Sequence, residues 1–346
     1  MKFGNLFYFK TISSIGGCES FFWYLSQLYN DFTIMYRNGD PEQVKRLAQN
    51  VEVIKYDDKY GTIKCEKFFC NYGLDIPVEA KEKYHIIHCD YKHTNFKPIM
   101  YPGFKYIGVS KVACQSFKEL TGVDAELIYN PIVIKKTNVP KLKDKLYLIS
   151  ATRLTAEKGG ERINQLCRLL DKNNIDYEWT VYSNRRFRFY GKNIKLEKPK
   201  LDLRKEMEQA TYVVQLSSHE SFGLTVAESL ILGTPVIVTD IPAFKEIGCK
   251  HGENAIICDL NMNNVDLSMI RQGIPSFKYT PPKSNWDKYL SRNGNYNPTD
   301  KVKVRTIRRI WLVEEEIHAD FNKEIEVTKA RASELESKGL VERCIN

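Results

Sequence analysis

A chain of 346 residues with 42% apolar and 12% aromatic side chains can bury sizeable cores, which excludes a disordered chain and fits two or three domains at roughly 150 residues each. Its formal net charge of +9 favours anionic partners: ligand phosphates, an anionic membrane surface or nucleic acid. No apolar run reaches the about 18–20 residues of a membrane span. Nine scattered cysteines without a pairing framework suit free thiols in a reducing compartment. Only Cys65 and Cys70 lie close together, and no His follows at finger spacing, so no structural metal is expected. The opening MKFGNLFYFKTISS lacks a cleavage site and reads as a strand, so the expected location is cytoplasmic.

In chain order, residues 1–134 alternate strands and helices. Lys2–Phe9 is a strand, Thr11–Ser20 a turn holding Gly16-Gly17, and Phe21–Tyr29 an aromatic helix. Phe32–Tyr36 and Val51–Ile54 are strands, and so is His85–His88, whose polar tail opens a loop. Tyr106–Ser110 leads into a helix over Lys111–Thr121, with Ser110 as its N-cap. An Asn130-Pro131 turn and the Lys-rich stretch 135–145 make a linker. Residues 146–292 then form a second domain. Its strands are Leu146–Ser150, Tyr177–Tyr182, Tyr212–Leu216, Val236–Thr239 and Ala255–Asp259, with helices over Glu161–Asn173, Leu201–Gln209, Leu267–Ile270 and Asn285–Leu290. Residues 183–200 interleave Arg and Lys with aromatics; this is either an anionic-surface patch or a loop and edge strand with solvated charges. After NGNYNP the pattern changes. Residues 300–346 read as a small appended α+β module, its helix capped by Thr328 and stopped by Gly339.

The chemistry concentrates in Ser217–Gly248. Glu220 and Glu228 stand eight residues apart around Ser221-Phe222-Gly223-Leu224, between the strands at Tyr212 and Val236. Strand, helix, strand implies a parallel sheet, and ligands bind at the C-terminal ends of such strands. Gly223 lets backbone N–H groups approach a ligand, and the following helix N-terminus favours an anion. An anion cradle flanked by carboxylates fits phosphates between hydroxyl-bearing ends, the layout of a nucleotide-sugar. Arg153 and Lys158, five apart after a strand, converge on a diphosphate or are merely solvated; Gly16-Gly17 before a helix is a second cradle or a plain tight turn.

Glu220-x7-Glu228, with Phe222-Gly223 and Gly233-Thr-Pro-Val-Ile-Val, resembles the signature of retaining glycosyltransferases of the GT-B fold, family 4, over about residues 1–290. The resemblance implies an α/β, GT-B fold: two Rossmann-like domains facing a cleft, here with the small C-terminal α+β module. It implies transfer of a sugar from a UDP- or GDP-sugar to a hydroxyl acceptor, glycan or lipid-linked, with retention and without metal or other cofactor. It places Arg153, Lys158, Gly223 and Leu224 at the diphosphate, Glu220 at sugar hydroxyls, Glu228 at the ribose, His88 beneath the reacting carbon, and Gly16, Gly17 and Phe222 in the cleft. It also implies that the final helix, for which Trp286–Leu290 is the candidate, crosses back onto the first domain. Alternatives are a glycosyltransferase acting on modified nucleic acid, or a nucleic-acid-binding protein using 183–200. Peripheral contact with an anionic membrane and oligomerisation through 300–346 are further expectations.

Overall fold

The computed structural model describes residues 2–344. The first half runs β1 (Lys2–Tyr8), β2 (Thr11–Ile12), α1 (Gly17–Leu28), β3 (Phe32–Tyr36), β4 (Asn38–Gly39), α2 (Pro41–Leu47), β5 (Glu52–Lys55), β6 (Ile63–Asn71), β7 (Val78–Ile87), β8 (Lys105–Gly108), α3 (Lys111–Thr121) and β9 (Glu126–Leu127). Seven strands form one parallel sheet in the order β5-β3-β1-β6-β7-β8-β9, while β2 and β4 pair separately. Every residue of β3 is buried, as a strand covered on both faces requires.

The two faces are covered differently. Phe7, Phe69 and Ile86 face α1, α2 and α3. Leu6, Tyr8, Ile63 and Phe68 face the other way, under Ile76, Leu74 and Tyr101. No helix joins β6 to β7: residues 72–77 return as an extended strap across that second face. Parallel neighbours are ordinarily joined by at least about ten residues. Asp75 fastens this strap, accepting from the Tyr8 hydroxyl and pairing with Lys10 and Arg37 at 3.1 Å each.

The second half runs β10 (Leu146–Ala151), α4 (Gly160–Lys172), β11 (Tyr177–Tyr182), β12 (Ile194–Glu197), α5 (Arg204–Gln209), β13 (Tyr212–Gln215), α6 (Leu224–Leu232), β14 (Val236–Thr239), α7 (Pro242–Glu246), β15 (Ala255–Cys258) and α8 (Leu267–Gln272). Its six parallel strands lie in the order β12-β11-β10-β13-β14-β15, with apolar cores on both faces.

The chain then returns to the first half. Trp286, in a 3₁₀ turn (Trp286–Lys288), is fully buried among Phe7, Phe21 and Phe69, with ring centroids 5.5–6.1 Å away. The segment expected as a helix over Asn285–Leu290 is thus one short turn; an aromatic plug, not a helical face, holds it. The last residues form β16 (Lys301–Thr306), β17 (Ile310–Leu312), β18 (Ile317–Ala319), β19 (Glu324–Thr328), α9 (Lys329–Ser337) and β20 (Val341–Arg343). Their three-stranded sheet runs β19-β16-β20, antiparallel. This unit closes the open edge of the first sheet at β5. Ser333 Oγ and Arg343 Nη2 donate to the Val53 carbonyl at 2.6 and 3.2 Å, and Arg343 pairs with buried Glu336 at 3.1 Å and with Glu52 at 3.2 Å.

Three local expectations change. The first helix begins at Gly17, not Phe21: the Ser20 N–H reaches the Gly16 carbonyl at 3.0 Å, and Glu19 anchors the turn by accepting from the Ser13 N–H at 2.7 Å. The polar stretch 63–71 is a central strand, and the strand before His88 starts at Val78. Their outward charges hid them: Lys64, Glu79 and Lys81 alternate with packed residues at a sheet end.

Candidate functional site

The C-terminal ends of the two parallel sheets face each other across a cleft of about 750 Å³, within the range of ligand pockets. Gly16, Gly17, His88, Arg153, Lys158, Glu220, Phe222, Gly223, Leu224 and Glu228 all line it. The structure therefore brings together side chains from both halves that are up to 212 positions apart in the sequence.

Two helix N-termini meet there. The α6 start depends on Gly223, whose φ of 94° is left-handed and whose side a Cβ would fill at 2.9 Å from the Phe244 ring. The α1 start depends on Gly16, because Glu19 folds back so far that a Cβ would sit 2.3 Å from its Oε2. A Cβ built on Gly17 would lie 4.0 Å from Leu224 Cδ1, so the two cradles approach to van der Waals distance across the cleft. Both ends present N–H groups and partial positive charge to the same space.

On the second-half wall, Lys158 Nζ pairs with Glu220 Oε1 at 2.7 Å, each side chain 14% exposed. Ser217 Oγ donates to the same oxygen at 2.8 Å. Arg153 is exposed and has no ion pair among the described residues. Glu228 accepts from Tyr24 OH at 2.8 Å, and burial raises its carboxyl above the ordinary range. On the first-half wall, His88 follows the last residue of β7 and packs edge-on against Phe21 at 5.0 Å. Burial lowers its imidazole to about 3, so it is neutral at pH 7, and its Nε2 has no hydrogen-bond partner.

Further residues belong to the site: Asp90 and His93, which fit the strand-end role less well than His88 on sequence alone, and His219, which the sequence reading passed over. Asp90 Oδ2 lies 2.8 Å from His93 Nδ1, and the His93 ring stacks on His219 across the cleft at 5.4 Å and 25°. Burial, with Lys158 and His93 adding to it, lowers the His219 imidazole below its ordinary value. His219 adjoins Glu220 and was legible from that position. Tyr24 lies seven residues, two helical turns, after Gly17, but nothing in the sequence pairs it with Glu228. Ser110 caps α3, accepting from the Ala113 N–H at 2.9 Å, and also donates to the Ser221 carbonyl across the two halves.

The basic stretch 183–200 borders the cleft through Ser183, Asn184, Pro199 and Lys200. Phe187 and Phe189 pack inward on the second core, and β12 is the sheet's edge strand. Tyr190 alone of its aromatics is exposed, with the Arg168 and Arg188 guanidiniums over its ring at 5.4 and 5.3 Å.

Residues 134–268 match the family model of glycosyl transferases group 1. Within the curated proteins, GDP-mannose:cellobiosyl-diphosphopolyprenol alpha-mannosyltransferase of Xanthomonas oryzae pv. oryzae (strain PXO99A) is 38% identical over 55 residues, 16% of this chain and 14% of that protein's length. Anabaena Alr3699/HepE, solved with UDP and glucose, aligns with a TM-score of 0.54 at 13% identity over 79% of this chain and 89% of its own. A glycosyltransferase from Rickettsia africae ESF-5 aligns with a TM-score of 0.51 at 16% identity over 75% and 85%. The architecture is GT-B, with two Rossmann-like halves around the cleft. No described helix is long and apolar enough to cross a membrane.

Proposed function

We propose that this protein transfers a sugar from a nucleotide-sugar, a UDP- or GDP-sugar, to a hydroxyl acceptor in glycan biosynthesis, with retention of anomeric configuration. The observation that carries the reading is the convergence of Arg153, Lys158, Glu220, Glu228 and the α6 N-terminus on one cleft. The group 1 domain match and the mannosyltransferase likeness support it.

In this reading the diphosphate lies at Gly223-Leu224. Arg153, with no ion pair among the described residues, and Lys158 offset the charge that grows on it as the glycosidic bond breaks, the term usually largest in catalysis. Phosphate competes for Lys158 with Glu220, which frees Glu220 oxygens for sugar hydroxyls. Glu228 accepts from the ribose. A neutral His88 beside the sugar adds no positive charge near an oxocarbenium-like centre, and its unpartnered Nε2 offers a lone pair or a proton there. No protein carboxylate serves as nucleophile in this scheme; the acceptor attacks from the face the diphosphate leaves. Metal plays no part. The acceptor is a glycan or lipid-linked hydroxyl compound, and the work is cytoplasmic, in keeping with nine free cysteines.

The test is direct. Calorimetric titration with UDP, GDP and their sugars identifies the donor, and proton NMR of the product gives the anomeric configuration. Binding of neither nucleotide refutes the donor; an inverted product refutes retention.

A further inference from the structure

Glu228 is held from the opposite side of the cleft. Its Oε1 takes the hydroxyl of Tyr24 at 2.8 Å, and its other oxygen takes no hydrogen bond from any described residue. Tyr24 belongs to α1 of the first half and is 7% exposed. It is not itself part of the cleft wall, whereas Glu228 is. Tyr24 sits on the same rigid helix whose N-terminus, Gly17, meets Leu224 across the cleft. Its neighbour Trp23 carries the Arg46 guanidinium at 4.1 Å, a cation whose charge reaches Glu228.

Other bonds also join the halves. The Lys111 and Val112 N–H groups donate to Glu246 at 2.6 and 3.2 Å, and Ser110 donates to the Ser221 carbonyl. These gather at α3. Of these bonds, Tyr24 alone lands on a carboxylate that faces ligand space. A carboxylate free at both oxygens swings among rotamers and water; one fixed at Oε1 presents the other in a single place, at little further entropic cost.

We propose that Tyr24 is a positioning residue for donor recognition: with the halves closed, its hydroxyl holds one Glu228 oxygen and leaves the other to accept from the donor's ribose hydroxyls. This rests on the nucleotide-sugar reading above. It makes discrimination of ribose from deoxyribose a property of the closed cleft, because half of the recognition device comes from the other half of the molecule. Phenylalanine at position 24 keeps the packed ring and removes only the hydroxyl.

The experiment compares binding of UDP, GDP and their 2′-deoxy forms by calorimetry to the full chain, to Tyr24→Phe, to Glu228→Gln and to the double variant. The wild type favours the ribonucleotide by about tenfold, the size of one hydrogen bond to a charged group. Tyr24→Phe loses most of that ratio, and the double variant matches Glu228→Gln alone. The thermal midpoint is read beside each titration. A Tyr24→Phe protein that folds and keeps the full ribose preference overturns the proposal, as does additivity of the two substitutions. Should Tyr24→Phe fail to fold, a Glu228→Gln protein that keeps the preference overturns it as well. A wild type that binds neither nucleotide defeats the donor reading itself, an outcome distinct from the others.

Discussion

The two walls of the cleft do opposite chemistry. The second-half wall is charged: Arg153, the Lys158–Glu220 pair and Glu228, set on loops and a helix start that follow parallel strands. The first-half wall is more aromatic and carries no Lys or Arg among its lining residues: His88 lies against Phe21, the Tyr72 hydroxyl lies 3.1 Å from Cys18 Sγ, and its carboxylates are Glu19 and Asp90, the latter paired with His93. In the proposed reading, a site split in this way gives phosphate chemistry to one half and the shape of the reacting space to the other. The family model stops where this division does, covering 134–268 and not the first half.

Breaking the join between the walls should have the largest effect. Trp286→Ala removes a fully buried indole that belongs to the second half's tail yet fills the first half's core. Its expected cost is about 3–5 kcal/mol of stability, read as a lower denaturant midpoint. Unchanged stability would mean that the halves are joined elsewhere.

Lys158→Ala acts on the charged wall alone. Turnover should fall by roughly 10²–10³ while folding is retained, if the amine stabilises the departing diphosphate. A variant within twofold of wild type would remove Lys158 from the phosphate site. Glu228→Ala should weaken nucleotide binding by about tenfold with a smaller effect on turnover once saturated, the pattern of lost uniform binding. Chelation with EDTA should leave activity unchanged; its loss would oppose a metal-free mechanism.

Acid probes the two histidines at the end of β7. Burial lowers His85 to about 4 and His88 to about 3, both below the ordinary value near 6.5. The unfolded chain therefore binds these protons first. Their contribution is complete above about pH 6.5 and is lost as pH falls through the folded values. Buried Glu228 and Glu336, with raised carboxyl values, push the other way. Comparison with His85→Phe isolates the histidine part: the variant should lose less stability than wild type between pH 6.5 and 4, measured by urea midpoints. An identical slope would show that His85 already shares a proton when folded.

How much of this was legible beforehand follows the same division. Tyr212–Gln215 and Val236–Thr239 are short, mostly apolar and wholly buried runs bounded by turn residues, so strands, helix and glycine cradle could be read almost to the residue. The first half obscured itself. Its strands at 63–71 and 78–87 carry charge on their outer ends, and a strap replaces the helix that would have announced a crossover. Among site residues, Glu228 was legible as a carboxylate facing the ligand, but its partner Tyr24 depends on a fold-level contact between positions 204 apart. The Lys158–Glu220 pair was likewise beyond local pattern, because spacing locates charges and not their mutual distance.

The strap at 72–77 has a mechanical meaning. It returns from the end of β6 to the start of β7 near the chain's full extended length, and Asp75 ties it to β1 and to Arg37. A taut tie has no slack to give. Tyr72, at its first residue, is thus placed in the cleft by a cord rather than a hinge, and that part of the cleft wall is tied through Asp75 to the first sheet.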